Sequence, residues 1–375
     1  MKVRFARPYL TDSDVAAVAA TLNGKSHLTN AGRVQEFERN FEEYVGGGMA
    51  LAVSSCTAAL YMVIRAMNIG VGDEVILPAL SFAACGHVIE AVGAKPVFVD
   101  SEPTSGTMDP ELVEKSINRK TKAIMAMHYA GRVCFMGTLR DVARRHNVPI
   151  IEDCATAIGV THSGKHSGLH GEAGCFSFHP VKHITTGEGG MILTTNPELA
   201  ERLKRIREFG KVIDPYEPIS GNYKIEEFGL NFRMTEMQGA LGVSQLKRLP
   251  DIMKRREDNL FTLKNILTDF EVLDPEPGAY YALIVMIPDG VDQFRLRTEM
   301  IKKWVETSLY YPGPLPLMPF YAKKYGYSAG MFPVAERIAN RSVAMSVGPH
   351  LMKSDMVYQA GLLKTLAVKL RGKAA

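Results

Sequence analysis

The chain has 375 residues, 46% hydrophobic and 22% charged, with a formal net charge of +4. This length can bury two cores, and the mild charge excludes a basic nucleic-acid surface while suiting an anionic small molecule. The five cysteines (Cys56, Cys85, Cys134, Cys154, Cys175) form no C-x-x-C pair, which argues against a zinc ribbon, a redox motif or a disulfide framework and fits a reducing compartment.

The first residues, MKVRFARPYLTDSD, lack the apolar core of a signal peptide, and no apolar run reaches the roughly 18 residues of a membrane span. A soluble, cytoplasmic protein is expected, with no membrane or nucleic-acid partner. From residue 47 to 153 short apolar runs alternate with amphipathic segments. MALAVS, EVILPAL, KPVFVD, KAIMAMH and VPIIED read as strands. TAALYMVIRAMNIG, FAACGHVIEAVGA, DPELVEKSIN and MGTLRDVARRHN, set between them, read as helices. Such alternation predicts an α/β fold with a mostly parallel sheet covered by helices on both faces.

GVTHSGKH, residues 159–166, falls one residue short of the P-loop pattern. His166 stands where a magnesium-binding Ser or Thr is needed, and the glycines that follow break a helix rather than open one. A β-hairpin is expected there, without nucleotide hydrolysis. GCFSFH and GMILTTN then read as strands and PELAERLKRIREFG as a charged helix. A helical stretch runs from Thr235 to about Asp269 with a break or kink at Pro250. The last third offers one strand, YYALIVMIP, two or three helices and a proline-rich loop. The expected division is a large domain over 1–245 and a smaller α+β domain over 246–375.

Three places carry chemistry. In VSSCTAAL a strand gives way to a helix starting near Thr57. The free N–H groups of its first turn, with Ser55, Cys56 and Thr57, make an anion site of the kind that holds phosphate; a plain N-cap would use the same residues. In VPIIEDCATAIG, Asp153 ends an apolar strand, where open α/β sheets place ligands. A buried carboxylate there needs a cation, for which a protonated ring nitrogen would serve, or it caps the next helix. In SFHPVKHITTGEGGM, Lys182 follows the strand of Ser177 on a turn broken by Gly187, Gly189 and Gly190. Desolvation and nearby cations would free its neutral amine for carbonyl condensation. Phosphate, ring nitrogen and aldehyde are together what pyridoxal phosphate presents.

These motifs, with GDEVILPALSFAA and GLNFRMTEMQGALG, make the chain resemble the fold-type I pyridoxal-phosphate enzymes, specifically the DegT/StrS-type sugar aminotransferases. The resemblance runs from start to end and is strongest over residues 45–245. It implies that Lys182 bonds covalently to the cofactor and that Asp153 pairs with its ring nitrogen. It further implies that the backbone of Cys56 and Thr57 and the hydroxyl of Ser177 hold its phosphate, and that Phe82 stacks on its ring. Asn231 is implied to reach a neighbouring subunit's phosphate, making a homodimer with shared sites, and Arg233 to contact an anionic substrate. Without the family, Phe82 reads equally as core and Arg233 as a surface ion pair. Thr156 stands where relatives carry His or Gln beside the cofactor's phenolic oxygen. Pro316-Leu317-Met318-Pro319 replaces their His-Leu-Gln-Pro run, and Phe135 an acidic residue.

The activity implied is transfer of an amino group from an amino acid, in this family most often glutamate, to a keto sugar such as a nucleotide-linked 4-keto-6-deoxyhexose. A cyclitol ketone or a sugar without a nucleotide would also fit. Sugar dehydration on the same fold uses histidine at the lysine position, whereas here His183 only follows Lys182. A non-catalytic sugar or cofactor sensor is the remaining alternative.

Overall fold

The computed structural model describes residues 3–24, 27–212, 223–273 and 278–371. Two helices absent from the sequence expectations precede the sheet, α1 (Asp12–Asn23) and α2 (Arg33–Val45). In α2 the buried residues Val34, Phe37, Phe41 and Val45 recur at helical spacing on one face. Its N-terminus is capped from a distance, because the buried Glu236 accepts from the N–H groups of Ala31 and Arg33 at 2.8 and 2.5 Å.

The alternation then unfolds as expected: β1 (Met49–Val53), α3 (Cys56–Ala66), β2 (Glu74–Pro78), α4 (Ala83–Ala91), β3 (Lys95–Val99), α5 (Pro110–Ser116), β4 (Thr121–Met127), α6 (Met136–His146) and β5 (Ile150–Asp153). The segment that almost spells a P-loop is a hairpin, β6 (Thr161–His162) against β7 (Lys165–His166), with Gly164 at φ +75° in its turn. There follow β8 (Ala173–Ser177), β9 (Gly190–Thr194) and α7 (Pro197–Arg207), the last capped by Asn196 with Pro197 in its first turn.

The seven strands order as β1-β9-β8-β5-β4-β2-β3. Pairs from β3 through β8 are parallel, and β9 runs antiparallel to both β8 and β1. The sheet is therefore parallel except for β9. Its strands are buried on both faces, which is why they read as continuous apolar runs.

Past the short pair β10 (Lys211–Val212) and β11 (Lys224–Ile225), the helical stretch breaks in two, α8 (Glu236–Lys247) and α9 (Leu249–Ile266). Pro250 sits in the first turn of α9, so the break falls at Arg248, just before it, where a missing N–H costs nothing. β12 (Val272–Leu273), β13 (Ala282–Met286), α10 (Gln293–Lys302), α11 (Pro319–Tyr325), α12 (Pro333–Arg341), β14 (Ser342–Ser346) and α13 (Lys353–Arg371) complete the chain. Among the described residues four α-helices thus follow β13 rather than two or three, and β14 joins β12 and β13 in an antiparallel sheet. A second apolar core forms here from α9, α10, α13 and this sheet, and Val3 belongs to it.

Candidate active site

The carboxyl ends of β1, β2, β4, β5 and β8 open on one edge of the large sheet, where parallel α/β sheets receive ligands. Strand register fixes what meets there. Ser177 pairs with Gly190, and Gly190 with Val53, so the end of β8 lies level with the turn into α3. One strand further, Asp153 is in register with Cys175 and with Met127.

At the start of α3, Ser55 caps the helix by accepting from the Ala58 N–H at 3.1 Å. Among the described residues the N–H groups of Cys56 and Thr57 have no acceptor, as the first turn of a helix dictates. The Cys56 side chain is buried, its Sγ 3.5 Å from the Cys175 carbonyl, so its backbone is the part left to face a ligand. β9 runs hard beneath this turn. A Cβ on Gly190 would lie 2.5 Å from the Ser55 carbonyl carbon and 2.7 Å from the Cys56 nitrogen. The glycine is there for that approach.

Asp153 is 4% exposed. The Ala155 N–H donates to its Oδ1 at 2.9 Å and the Cys85 thiol to its Oδ2 at 3.0 Å; the Cys56 Sγ lies 4.0 Å from Oδ1. No lysine, arginine or histidine nitrogen lies within 4 Å of it among the described residues. Burial, and next the charge of Asp153, push both thiols well up from their ordinary range, so Cys85 stays protonated and able to donate. A buried carboxylate supported by one N–H and thiols is an incomplete set for an anion. It fits a group that brings a ring N–H⁺.

Lys182 follows a turn closed by its own N–H to the His179 carbonyl at 2.9 Å. The loop folds back through Thr186 N–H to Phe178 O at 3.0 Å and Phe178 N–H to Gly189 O at 2.9 Å. The amine lies half-buried, 5.3 Å from the centre of the Tyr281 ring, and has no carboxylate within 4 Å among the described residues. His183 points elsewhere. Its Nε2 donates to the Ala279 carbonyl at 2.7 Å, and burial, with Arg256 next, drives its pKa well down, leaving a neutral ring.

Phe82 precedes α4 and is 57% exposed, 6.0 Å between ring centres from Tyr311. A large aromatic left open at a strand's carboxyl end suits a ring-stacking face. Ser177 is half-buried, and the His179 N–H approaches its Oγ at 3.4 Å. Thr156 is less available. Its hydroxyl accepts from the Gly131 N–H at 3.1 Å and donates its one proton to the His128 carbonyl at 2.9 Å. Donation to a cofactor oxygen would have to break that bond.

Asn231 is exposed and bridges to Glu208, while its Oδ1 accepts from the Arg233 N–H at 3.4 Å. The Phe232 carbonyl between them takes the Ser54 N–H at 2.8 Å, tying this segment to the end of β1. Arg233 lies 3.8 Å from Glu208 and against the Phe209 ring, the surface ion pair of its plainer reading. The anion role is not visible in these contacts.

Sequence reasoning missed Cys85, Tyr281, Tyr311 and Arg256. Cys85 alone had a local signal, three residues after Phe82 on one helical face; the others arrive from the last third of the chain. A further cluster, His128, Glu152 and Cys154, brings ligand-type atoms within 4.8 Å of one another. Glu152, however, is fully engaged by the N–H groups of Gly168, His170 and Gly171 and by His128 at 3.1 Å. Burial would raise its pKa, yet these bonds bring it below the usual range. The cluster pins the loop before β8 and leaves no coordination site.

This fold, opening such groups at one sheet edge, defines a pyridoxal-phosphate enzyme of fold-type I. The chain belongs to the DegT/DnrJ/EryC1/StrS aminotransferase family, matching it over residues 8–360. It is 31% identical over 357 residues to a GDP-perosamine synthase of Escherichia coli O157:H7, covering 94% of this chain and 95% of that one. Its backbone superposes with a TM-score of 0.93, at 27% identity, on Spr1654 of Streptococcus pneumoniae in its PMP form, a candidate sugar aminotransferase; 98% of this chain and 100% of that one are covered. Helicobacter pylori PseC, an aminotransferase of pseudoaminic acid biosynthesis, gives 0.92 at 27% identity over 98% and 100% of the two chains. The protein is thus a pyridoxal-phosphate-dependent sugar aminotransferase. No helix among the described residues is long and apolar enough to cross a membrane.

Proposed function

We propose that the enzyme takes the amino group of L-glutamate and passes it to a nucleotide-linked 4-keto-6-deoxyhexose, with Lys182 as covalent anchor and proton carrier. The observation that carries this reading is the Lys182 amine, half-buried, free of any carboxylate within 4 Å among the described residues, and set against Tyr281. The cofactor, when bound, supplies an aldehyde and an electron-accepting ring. Asp153 keeps the ring nitrogen protonated, Phe82 covers a face, and the N–H groups of Cys56 and Thr57 with the Ser177 hydroxyl take the phosphate. Lys182 would act as the proton carrier, removing the proton from the donor's α-carbon as general base and returning it as general acid. With the ketone acceptor the same amine would carry the proton in the opposite direction. A nucleotide-linked acceptor is supported by the relative named as a GDP-perosamine synthase. Dehydration is disfavoured because the buried, neutral His183 is already bound to the Ala279 carbonyl.

The division into residues 1–245 and 246–375 belongs to this proposal, supported by the separate core of the second part. So does a homodimer in which Asn231 reaches the partner's phosphate. Phe209, next to Asn231's bridge partner Glu208, and Tyr223, Ile225, Phe228 and Leu230, in the segment leading to Asn231, are exposed apolar side chains, a composition that suits an interface. Asn231→Ala should weaken cofactor retention several-fold in equilibrium dialysis; unchanged retention removes the shared site. For the activity itself, glutamate added to the holoenzyme should shift its visible band to that of the aminated cofactor. Borohydride reduction beforehand should mark Lys182 in peptide maps. Absence of a spectral change with every amino donor defeats the reading.

A further inference from the structure

α10 and α13 pack side by side, with Leu296 and Met300 of the one joining Leu363, Leu366 and Leu370 of the other in the second core. Their outer sides leave large apolar side chains in the open. Phe294 and Ile301 stand two turns apart on one face of α10, and Val357 and Val368 three turns apart on one face of α13. Trp304, the chain's single tryptophan, follows the end of α10 and is 63% exposed. The Tyr358 hydroxyl crosses from α13 to donate to the Lys303 carbonyl at 2.9 Å, which sets a second exposed aromatic next to it. Trp304 has φ +62°, in the left-handed turn past the helix end where glycine is favoured. A bulky residue strains such a turn, and with its ring in the open the fold gains little packing from it.

Charge says what this face meets. α10 carries three basic residues and one acidic, α13 four and one, an excess of five where the whole chain has +4. Of the two carboxylates, Asp355 is buried and accepts from the Met352 N–H at 2.9 Å. Glu299 is paired with Lys302 at 2.7 Å, and that bond, with Lys369 and Arg295 further off, holds its pKa below the usual range. Arg295 and Lys303 have no carboxylate within 4 Å among the described residues. Tryptophan and tyrosine beside lysines, with aliphatic side chains around them, is the composition that settles at the headgroup level of a bilayer. A second copy of this chain would bring the same positive charge against itself. A surface contact of this kind needs no spanning segment, the feature on which the expectation of no membrane partner rested.

We propose that the outer face of α10 and α13 docks on an anionic phospholipid surface, with Trp304 and Tyr358 at headgroup level and Lys302 and Lys303 against the phosphates. Because the chain has a single tryptophan, its fluorescence reports on this face alone. Holoenzyme mixed with phosphatidylglycerol vesicles at low salt should co-sediment with them and shift its tryptophan emission to the blue. Phosphatidylcholine vesicles should do neither, and raised salt should release the protein. Lys302→Ala combined with Lys303→Ala should weaken binding about thirtyfold, the contribution of two lysines near such a surface. Trp304→Gly should also weaken co-sedimentation. It should hold or raise the thermal midpoint, because glycine relaxes the left-handed turn. Failure of the wild type to co-sediment with phosphatidylglycerol overturns the proposal, and so does equal binding to both lipids. Wild-type binding in either folded variant does the same. A fall in the solution mass of Trp304→Gly, read by light scattering without vesicles, overturns it in favour of an interface between copies.

Discussion

Asp153 has two oxygens and unequal support for them. Oδ1 has a backbone N–H, whereas the nearest donor to Oδ2 is the Cys85 thiol, a weak one. Cys85 lies in the first turn of α4, the helix that Phe82 precedes, so one short segment shapes both the face and the nitrogen end of a bound ring. Cys85→Ala takes that donor away and leaves Asp153 free to turn. The expected loss is about 1 kcal/mol, or roughly fivefold in cofactor affinity, with Cys85→Ser retaining most of it. Fluorescence titration of the apoenzyme with pyridoxal phosphate measures this directly. Equal affinity in wild type and Cys85→Ala would mean that the thiol only fills space.

At the scale of elements, what was legible is what buries both faces. β2, β4 and β8 carry apolar side chains on either side of the sheet, so the runs EVILP, KAIMAM and GCFSF announce themselves within a residue or two. α1 does not, because it docks through polar groups. Its buried Asp14 accepts from Ser244, Gln245 and Arg248 at 2.7, 3.0 and 2.6 Å, while Val15 and Leu22 stay exposed. No apolar period marks such a helix. α2 did carry one, in Val34, Phe37, Phe41 and Val45. β14 was hidden for another reason: it follows α12 with no turn residues between Arg341 and Ser342. The site divides in the same way. Lys182, Asp153 and the α3 turn are local motifs on strand ends, readable from spacing. Tyr281, Tyr311 and Arg256 reach the same place by long-range packing, which a chain-local pattern does not encode.

Four histidines are held in the neutral form and set part of the response to acid, while the buried His128, whose pKa burial would lower but its neighbours Cys154, Cys134 and Glu152 raise, acts in the opposite sense. His166 has its pKa lowered to about 4, chiefly by burial, and burial lowers His170, His183 and His350 as well. In His166 the geometry gives the reason: Nδ1 donates to the Ser167 carbonyl at 2.6 Å and Nε2 accepts the Gly159 N–H at 2.9 Å. A second proton would set N–H against N–H. At these four positions the unfolded chain, with histidines near 6.5, therefore binds more protons than the folded one between about pH 6.5 and pH 4. Their contribution to the unfolding free energy rises with pH across that window, so this part of the stability is complete above about 6.5 and is lost as pH falls toward 4. His166 alone accounts for about 3 kcal/mol at the bottom of the window. Thermal midpoints at constant ionic strength should hold steady from pH 8 to 7 and fall from 6.5 downward. His166→Gln, whose amide can accept from Gly159 and donate to Ser167, should flatten part of that fall. An identical slope in the variant would place the acid sensitivity in the other three histidines or in the carboxylates.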